Sequence, residues 1–189
     1  MTIVLEKSKF VFIHVPKTAG VSISTWLHRK CKARYYKKGI HGAKHFDQKR
    51  IQKLLLSDEH DPNDYTYFTV VRNPYDRLVS AYHYYYNQNR IPHTFEEYIK
   101  GDWVHDWGCA KKQMHQYFDH EADNVRILRF ENLEEDFKQI QDHVEKRGRM
   151  KKRNKSIHED YQTYYTDELR EIVEERCAKD LKLFGYSYK

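Results

Sequence analysis

The stretch FIHVPKTAGVSIS, residues 12–24, changes character at its middle. An apolar, partly β-branched run over residues 9–15 reads as a buried strand, with Phe10, Val11, Phe12 and Ile13 continuous. Pro16, Lys17, Thr18, Ala19 and Gly20 break it, and residues 21–30 read as a helix with Ile23, Trp26 and Leu27 on one face. Strand, tight turn and helix start, in that order, make an anion cradle. The first N–H groups of a helix lack internal partners, and the helix dipole adds positive potential there. Ala19 and Gly20 let a phosphate come close, and Thr18 and Ser22 offer hydroxyl donors. The plain alternative is a structural turn whose lysine is solvated. In the common nucleotide loop GxxxxGK[ST] the lysine follows the last glycine. Here Lys17 precedes Gly20, and Val15 stands where the first glycine would be. No strand ends in a convincing magnesium-binding aspartate, so the cradle points to phosphate chemistry without a metal.

A second stretch, TVVRNPYDRLVSAYHYY at residues 69–85, repeats the logic. Residues 65–71 read as a strand, and Pro74 opens a helix running to about residue 87. Arg72 then stands at the carboxyl end of a strand, where α/β sheets bind ligands. Ser80 follows on the early turns of the helix, so guanidinium and hydroxyl together can grip a second phosphate group. The alternative for Arg72 is a structural salt bridge. Arg77 is expected to pair with a carboxylate, Asp76 or a helix neighbour. Of the tyrosines at 82 and 84–86, two must face the core and the others can offer stacking faces.

The remaining pattern alternates in the same way. Residues 48–56 form a short helix with Ile51, Leu54 and Leu55 inward, and weaker helices are expected over 95–100 and 110–118. Residues 124–130 read as a third strand. Asn132 with Glu135 resembles a capping box before a helix marked by Leu133, Phe137, Ile140 and Val144. Thr166 caps a last helix whose stripe is Leu169, Ile172, Val173, Cys177 and Leu181, ended by Gly185. Strands alternating with helices give a three-layer α/β fold with a central parallel sheet and a P-loop-like strand-turn-helix, in a single domain over residues 1–189.

Composition narrows the partners. The 34 Lys and Arg against 28 Asp and Glu give a net charge of +6, which suits an anionic ligand without naming it. Cys31, Cys109 and Cys177 are odd in number, far apart and without a CxxC pair, so free thiols in a reducing compartment are expected rather than a zinc ribbon. No stretch is long enough to span a bilayer, and the charged first residues lack a signal-peptide core. The expectation is a soluble, cytoplasmic protein.

The pair PKTAGVS and VVRNPYDRLVSAY resembles the two nucleotide-binding motifs of the sulfotransferases that use 3′-phosphoadenosine 5′-phosphosulfate (PAPS), nearest to the carbohydrate type. LRFENLEEDF (residues 128–137) is similar to the family's third-strand segment, and YYTDELREIVEERCAKDLKLFGY (residues 164–186) to its closing helix. Val21 departs from the pattern, since many relatives carry threonine or another small polar residue there.

The resemblance implies a PAPS-dependent enzyme (EC 2.8.2 type) that releases PAP and needs no metal. It implies that Lys17 contacts the bridging and sulfonate oxygens, and that Thr18, Ala19, Gly20, Val21 and Ser22 hold the 5′-phosphate. Arg72 and Ser80 hold the 3′-phosphate that distinguishes this donor from ATP. Transfer is then a loose in-line displacement governed by positioning and charge stabilisation.

The acceptor hydroxyl needs a base, and HGAKHF offers His45 and His41 where several relatives place catalytic residues; His45 is preferred. A surface histidine is the alternative for each, and Glu131 is a weaker base candidate. The basic run at residues 147–155 is expected to close over the donor through Lys155 and Ser156, or else to be a solvated charge run. The implied acceptor is a glycan or other hydroxyl, with no nucleic acid partner. Animal carbohydrate sulfotransferases usually carry a Golgi anchor, so its absence leads to an expected microbial or viral source.

Two rivals differ in kind. A small-molecule kinase of P-loop type needs magnesium and a lysine after the glycine. A nucleic-acid binder would use the basic run and the tyrosines, but leaves two phosphate motifs at successive strand ends unexplained.

Overall fold

The structure, a computed structural model, describes residues 2–33, 45–86, 94–101, 112–151, 153 and 158–189. His41, Cys109, Lys155 and Ser156 lie outside them. The chain clusters into two compact units, residues 1–71 with 116–154 and residues 72–115 with 155–189.

The first unit holds a four-stranded sheet, with β1 (Ile3–Leu5), β2 (Phe10–Phe12), β3 (Thr66–Val71) and β4 (Val125–Arg129) side by side in chain order. β2, β3 and β4 run parallel, as the alternating pattern requires. β1 is an antiparallel edge, with Ile3 opposite Phe12. A three-residue strand is too short to show a period, and the charged turn after it, with Lys9 at φ 49°, dominates the local sequence.

Side chains alternate across the sheet. Ile3, Leu5, Phe10, Phe12, Phe68, Val70 and Leu128 share one buried cluster with Ile23, Trp26 and Leu27 of α1 (Gly20–Cys31) and Leu133, Phe137 and Ile140 of α5 (Leu133–His143). Phe68 stacks on Phe10 and on Phe12 with centroids 4.9 Å apart in each pair, and Trp26 meets Phe137 edge-on at 5.1 Å. On the opposite face lies α2 (Gln48–Ser57), with Ile51 and Leu55 buried, and buried Tyr67 donates its hydroxyl to the Pro62 carbonyl at 3.0 Å in the 3-10 turn that follows α2. Helices thus cover both faces, which is the three-layer arrangement.

Asn132 does not cap α5. A 3-10 turn, Phe130–Asn132, runs straight into the helix, so Asn132 never takes the extended backbone a cap needs. Its amide donates instead to Asp136 at 2.7 Å, and the other Asp136 oxygen accepts the Arg129 N–H at 2.7 Å.

The second unit is helical: α3 (Pro74–Tyr86), α4 (Phe95–Lys100), α6 (Asp167–Arg176) and α7 (Ala178–Phe184). Tyr75, Leu78, Val79, Tyr82, Phe95, Ile99, Leu169 and Val173 form its core. Thr166 caps α6 by accepting the Leu169 N–H, and Gly185 at φ 63° ends α7. The long last helix is broken at Cys177. The helix expected over 110–118 is, among the described residues, only a 3-10 turn at Met114–Gln116. Its N–H groups are taken by a side chain: buried Asp180 accepts from Met114 at 2.7 Å and from His115 at 3.0 Å.

Candidate functional site

The turn between β2 and α1 has an unusual backbone. Lys17 lies at φ 67° and Ala19 at φ 66°, both left-handed and neither a glycine, with Thr18 between them not left-handed. Each such residue costs about 1–2 kcal/mol. Strain of this kind persists where the surrounding structure over-determines it, typically at ligand clamps. Alternation of hand turns successive N–H groups into one concavity, a nest suited to an anion. Ala19 is the N-cap of α1 and makes no side-chain cap, so the helix start is left to its backbone. Lys17 is half-buried, and Val21, the second residue of α1, is 38% exposed.

Two loop residues depart from expectation. The Thr18 hydroxyl is fully buried and donates to the Val15 carbonyl at 2.8 Å, so it braces the turn rather than facing a ligand as a donor. Gly20 is needed for a different reason than access. Its φ is ordinary, but a Cβ there would stand 1.8 Å from Nε2 of His14. The His14 imidazole, 7% exposed, occupies that space, stacked on Phe12 with centroids 5.8 Å apart. Sequence reasoning passed over His14 because it reads as one more residue of the strand.

His45, exposed, is set against the same residue. Its ring lies 4.5 Å from the His14 ring, and its Nδ1 lies 3.2 Å from the His14 carbonyl oxygen. A carbonyl only accepts, so Nδ1 is the donor in this contact, and the neutral ring then has its lone pair on Nε2. That is the tautomer a base requires.

Ser22 links the turn to the late basic run. Its hydroxyl oxygen accepts the Arg153 N–H at 2.9 Å, which leaves its own proton to donate. The run is held on α1 at a second point, where the Gly148 carbonyl accepts Trp26 Nε1 at 2.9 Å and Gln141 Nε2 at 2.8 Å. Between them lies a cleft of about 140 Å³ lined by Trp26, Arg29, Lys30, Arg149 and Lys151. The described part of the run, through residue 151 and at 153, is therefore docked, although its charged side chains are exposed.

In the second unit Arg72 and Ser80 are both buried, at 7% and 3% exposure. Asn73 turns the chain into α3, its Oδ1 accepting the Tyr75 N–H at 3.0 Å. Asp76, one of the carboxylates considered for Arg77, grips Arg72 in the salt bridge named as the alternative for that arginine: Nε to Oδ2 and Nη2 to Oδ1 are both 2.7 Å. Arg77 donates to the Lys112 carbonyl at 3.3 Å. The reason is geometric, since a planar guanidinium one turn before Asp76 meets its carboxylate as a fork. Asp76 and Ser80 are four residues apart on α3 and so share a face, toward which the fork aims Arg72. The Arg72 N–H also reaches Met114 Sδ at 3.4 Å, and Asp180 holds Met114, so α7 braces the base of this arginine. The tyrosines divide as expected, with Tyr82 and Tyr85 buried and Tyr84 and Tyr86 each 42% exposed.

β2 and β3 are parallel neighbours, so the segments that follow them leave the sheet at one edge. The model of the sulfotransferase family matches residues 1–133, which includes both strand ends. The chain belongs to the sulfotransferase family. No curated protein matches the sequence. Among solved structures, the mouse sulfotransferase SULT7A1 complexed with PAP is similar at a TM-score of 0.59 and 16% identity, covering 94% of this chain and 88% of the other. A sulfotransferase from Alicyclobacillus acidocaldarius is similar at a TM-score of 0.50 and 14% identity, covering 95% and 96%. These likenesses agree with the α/β fold and its mostly parallel sheet. Among the described residues no helix of this sulfotransferase is long and apolar enough to cross a membrane.

Proposed function

We propose that this sulfotransferase moves the sulfuryl group of PAPS to an acceptor hydroxyl on a carbohydrate and releases PAP. The observation that carries the reading is the left-handed pair Lys17 and Ala19 at the strand-to-helix turn, an anion nest that includes its own lysine. In this reading the backbone of residues 18–22 and the Ser22 hydroxyl hold the 5′-phosphate. Lys17 steadies charge on the departing phosphate as the S–O bond to it breaks. Arg72, aimed by Asp76, and Ser80 hold the 3′-phosphate. Lys155 and Ser156 continue the run that docks on Ser22 and are assigned to donor closure.

His45 is the base, with His41 its alternate: as the acceptor oxygen bonds to sulfur, Nε2 takes its proton. The free thiols Cys31 and Cys177 suit a reducing compartment such as the cytoplasm.

Thermal shift tests the donor assignment, with PAP compared against adenosine 5′-phosphate, ATP with magnesium, and an oligonucleotide. PAP is expected to stabilise most, because only it presents both phosphate groups. An equal response to adenosine 5′-phosphate rejects the 3′-phosphate grip. Labelled PAPS offered to a panel of glycans, phenols and lipids then tests the carbohydrate assignment.

A further inference from the structure

His14 has no part in the assignments above, yet it touches two of their elements. The Nε2–Cδ2 edge of its ring lies where a side chain of Gly20 would begin, 1.8 and 1.9 Å from that Cβ position. Its ring and its carbonyl together engage His45. Phe12 fixes the ring from the strand side. The imidazole is thus a buried spacer between the first residue of α1, where the nest ends, and the ring assigned as the base. Any movement of α1 relative to the β2 end displaces His14 and, through it, His45.

We propose that His14 is a positioning residue for sulfuryl transfer, setting the place of the His45 ring relative to the phosphate nest. The inference rests on the reading of His45 as the base. His14 itself exchanges no proton with the substrate in this scheme. Its ring fills the gap that holds His45 in line, and its carbonyl keeps the proton on Nδ1 of His45. The arrangement also explains Gly20, because any larger residue there would push the spacer toward His45.

The test combines a kinetic and a spectroscopic readout. PAP release from PAPS, with water as the acceptor, is measured across the histidine titration range for wild type, His14→Ala, His14→Phe, His45→Ala and the double variant. Histidine ring signals are followed by NMR in the same proteins. For His14→Ala the expectation is a kcat lower by about tenfold to a hundredfold, the scale of a misplaced catalytic group. PAP affinity should stay within about twofold of wild type, with the acidic limb of the kcat profile displaced. His14→Phe, which keeps an aromatic spacer, should recover most of the kcat and also serves if the alanine variant fails to fold.

The double variant should be no slower than His45→Ala. Losses that multiply, a loss confined to PAP affinity, or His45 ring signals unmoved in His14→Ala would overturn the positioning role. The reading of the base fails separately: if His45→Ala keeps full turnover while its ring signals in His14→Ala do move, His14 positions a histidine that is not the base.

Discussion

Lys17 sits in a left-handed conformation that alanine would share at similar cost, so removing its side chain is close to a pure test of charge. Lys17→Ala is expected to melt near wild type while kcat falls by roughly 10²–10³, as for loss of one charge-stabilising donor. Turnover of PAPS beside a melting curve checks it, and undiminished turnover removes Lys17 from the chemistry. Arg72→Ala should weaken PAP binding by about 1.5–3 kcal/mol, the worth of a charged hydrogen bond. Calorimetry with PAP and with adenosine 5′-phosphate is the check, and only the first should lose affinity.

Burial pushes the Cys177 thiol up to about 12. It should resist alkylation in the native protein at mildly alkaline pH and react once unfolded, as read by peptide mass spectrometry. At this scale the sequence is legible where chemistry names the residue, as for Lys17 and Arg72. It is silent where position decides. Nothing in the letters K and A announces left-handed backbone, which glycine or asparagine would have signalled. Nor does the spacing alone show that Asp76 turns toward Arg72 rather than Arg77.

α1 begins against an imidazole, which sets two opposing effects at Gly20. Alanine is favoured over glycine in a helix by about 1 kcal/mol. Overpacking a filled site costs about 1–3 kcal/mol, and the contact with His14 is far inside van der Waals distance. Gly20→Ala is therefore expected to be net destabilising by denaturant unfolding. A neutral or stabilised variant would mean the ring moves aside freely.

In the second unit the 3-10 turn Tyr161–Tyr164 lies on α3, where His83 Nε2 and the Tyr164 hydroxyl are 2.8 Å apart. His158 stacks on His83 at 5.2 Å, and the Tyr82 ring lies edge-on at 5.2 Å. Burial, then the nearby His158, lower the His83 pKa. The unfolded chain accepts this proton first as pH falls, so the associated stability is whole above about 6.5 and declines below it toward the folded value. Melting temperatures of wild type and His83→Phe through that window should diverge, the variant losing less.

Elements with a long period were legible from the sequence, α1, α3 and β3 within a residue or two. β1 was too short to show one. The cap of α5 failed because a 3-10 turn runs into the helix and Asp136 takes the Asn132 amide, and the helix before residue 118 failed where Asp180 takes the Met114 and His115 N–H groups.

For the whole chain, the two units are each discontinuous in sequence, the path passing from the first to the second after residue 71, back after 115 and out again after 154. This layout puts the two assigned phosphate grips in different units, Lys17 in one and Arg72 in the other. The three-layer class and the common exit edge were legible, since alternation of strand and helix survives such an excursion. The division itself was not, because no linker marks residues 71 or 115 and the basic run across residue 154 reads as a loop.

Strand order has a consequence during translation. β4 covers one side of β3, yet it is made only after residues 72–115 have been added to the chain. Until then Thr66–Val71, buried at five of its six positions in the finished protein, ends the sheet with an open apolar ladder. A nascent chain stalled near residue 115 should be a chaperone client and, once released, prone to aggregate.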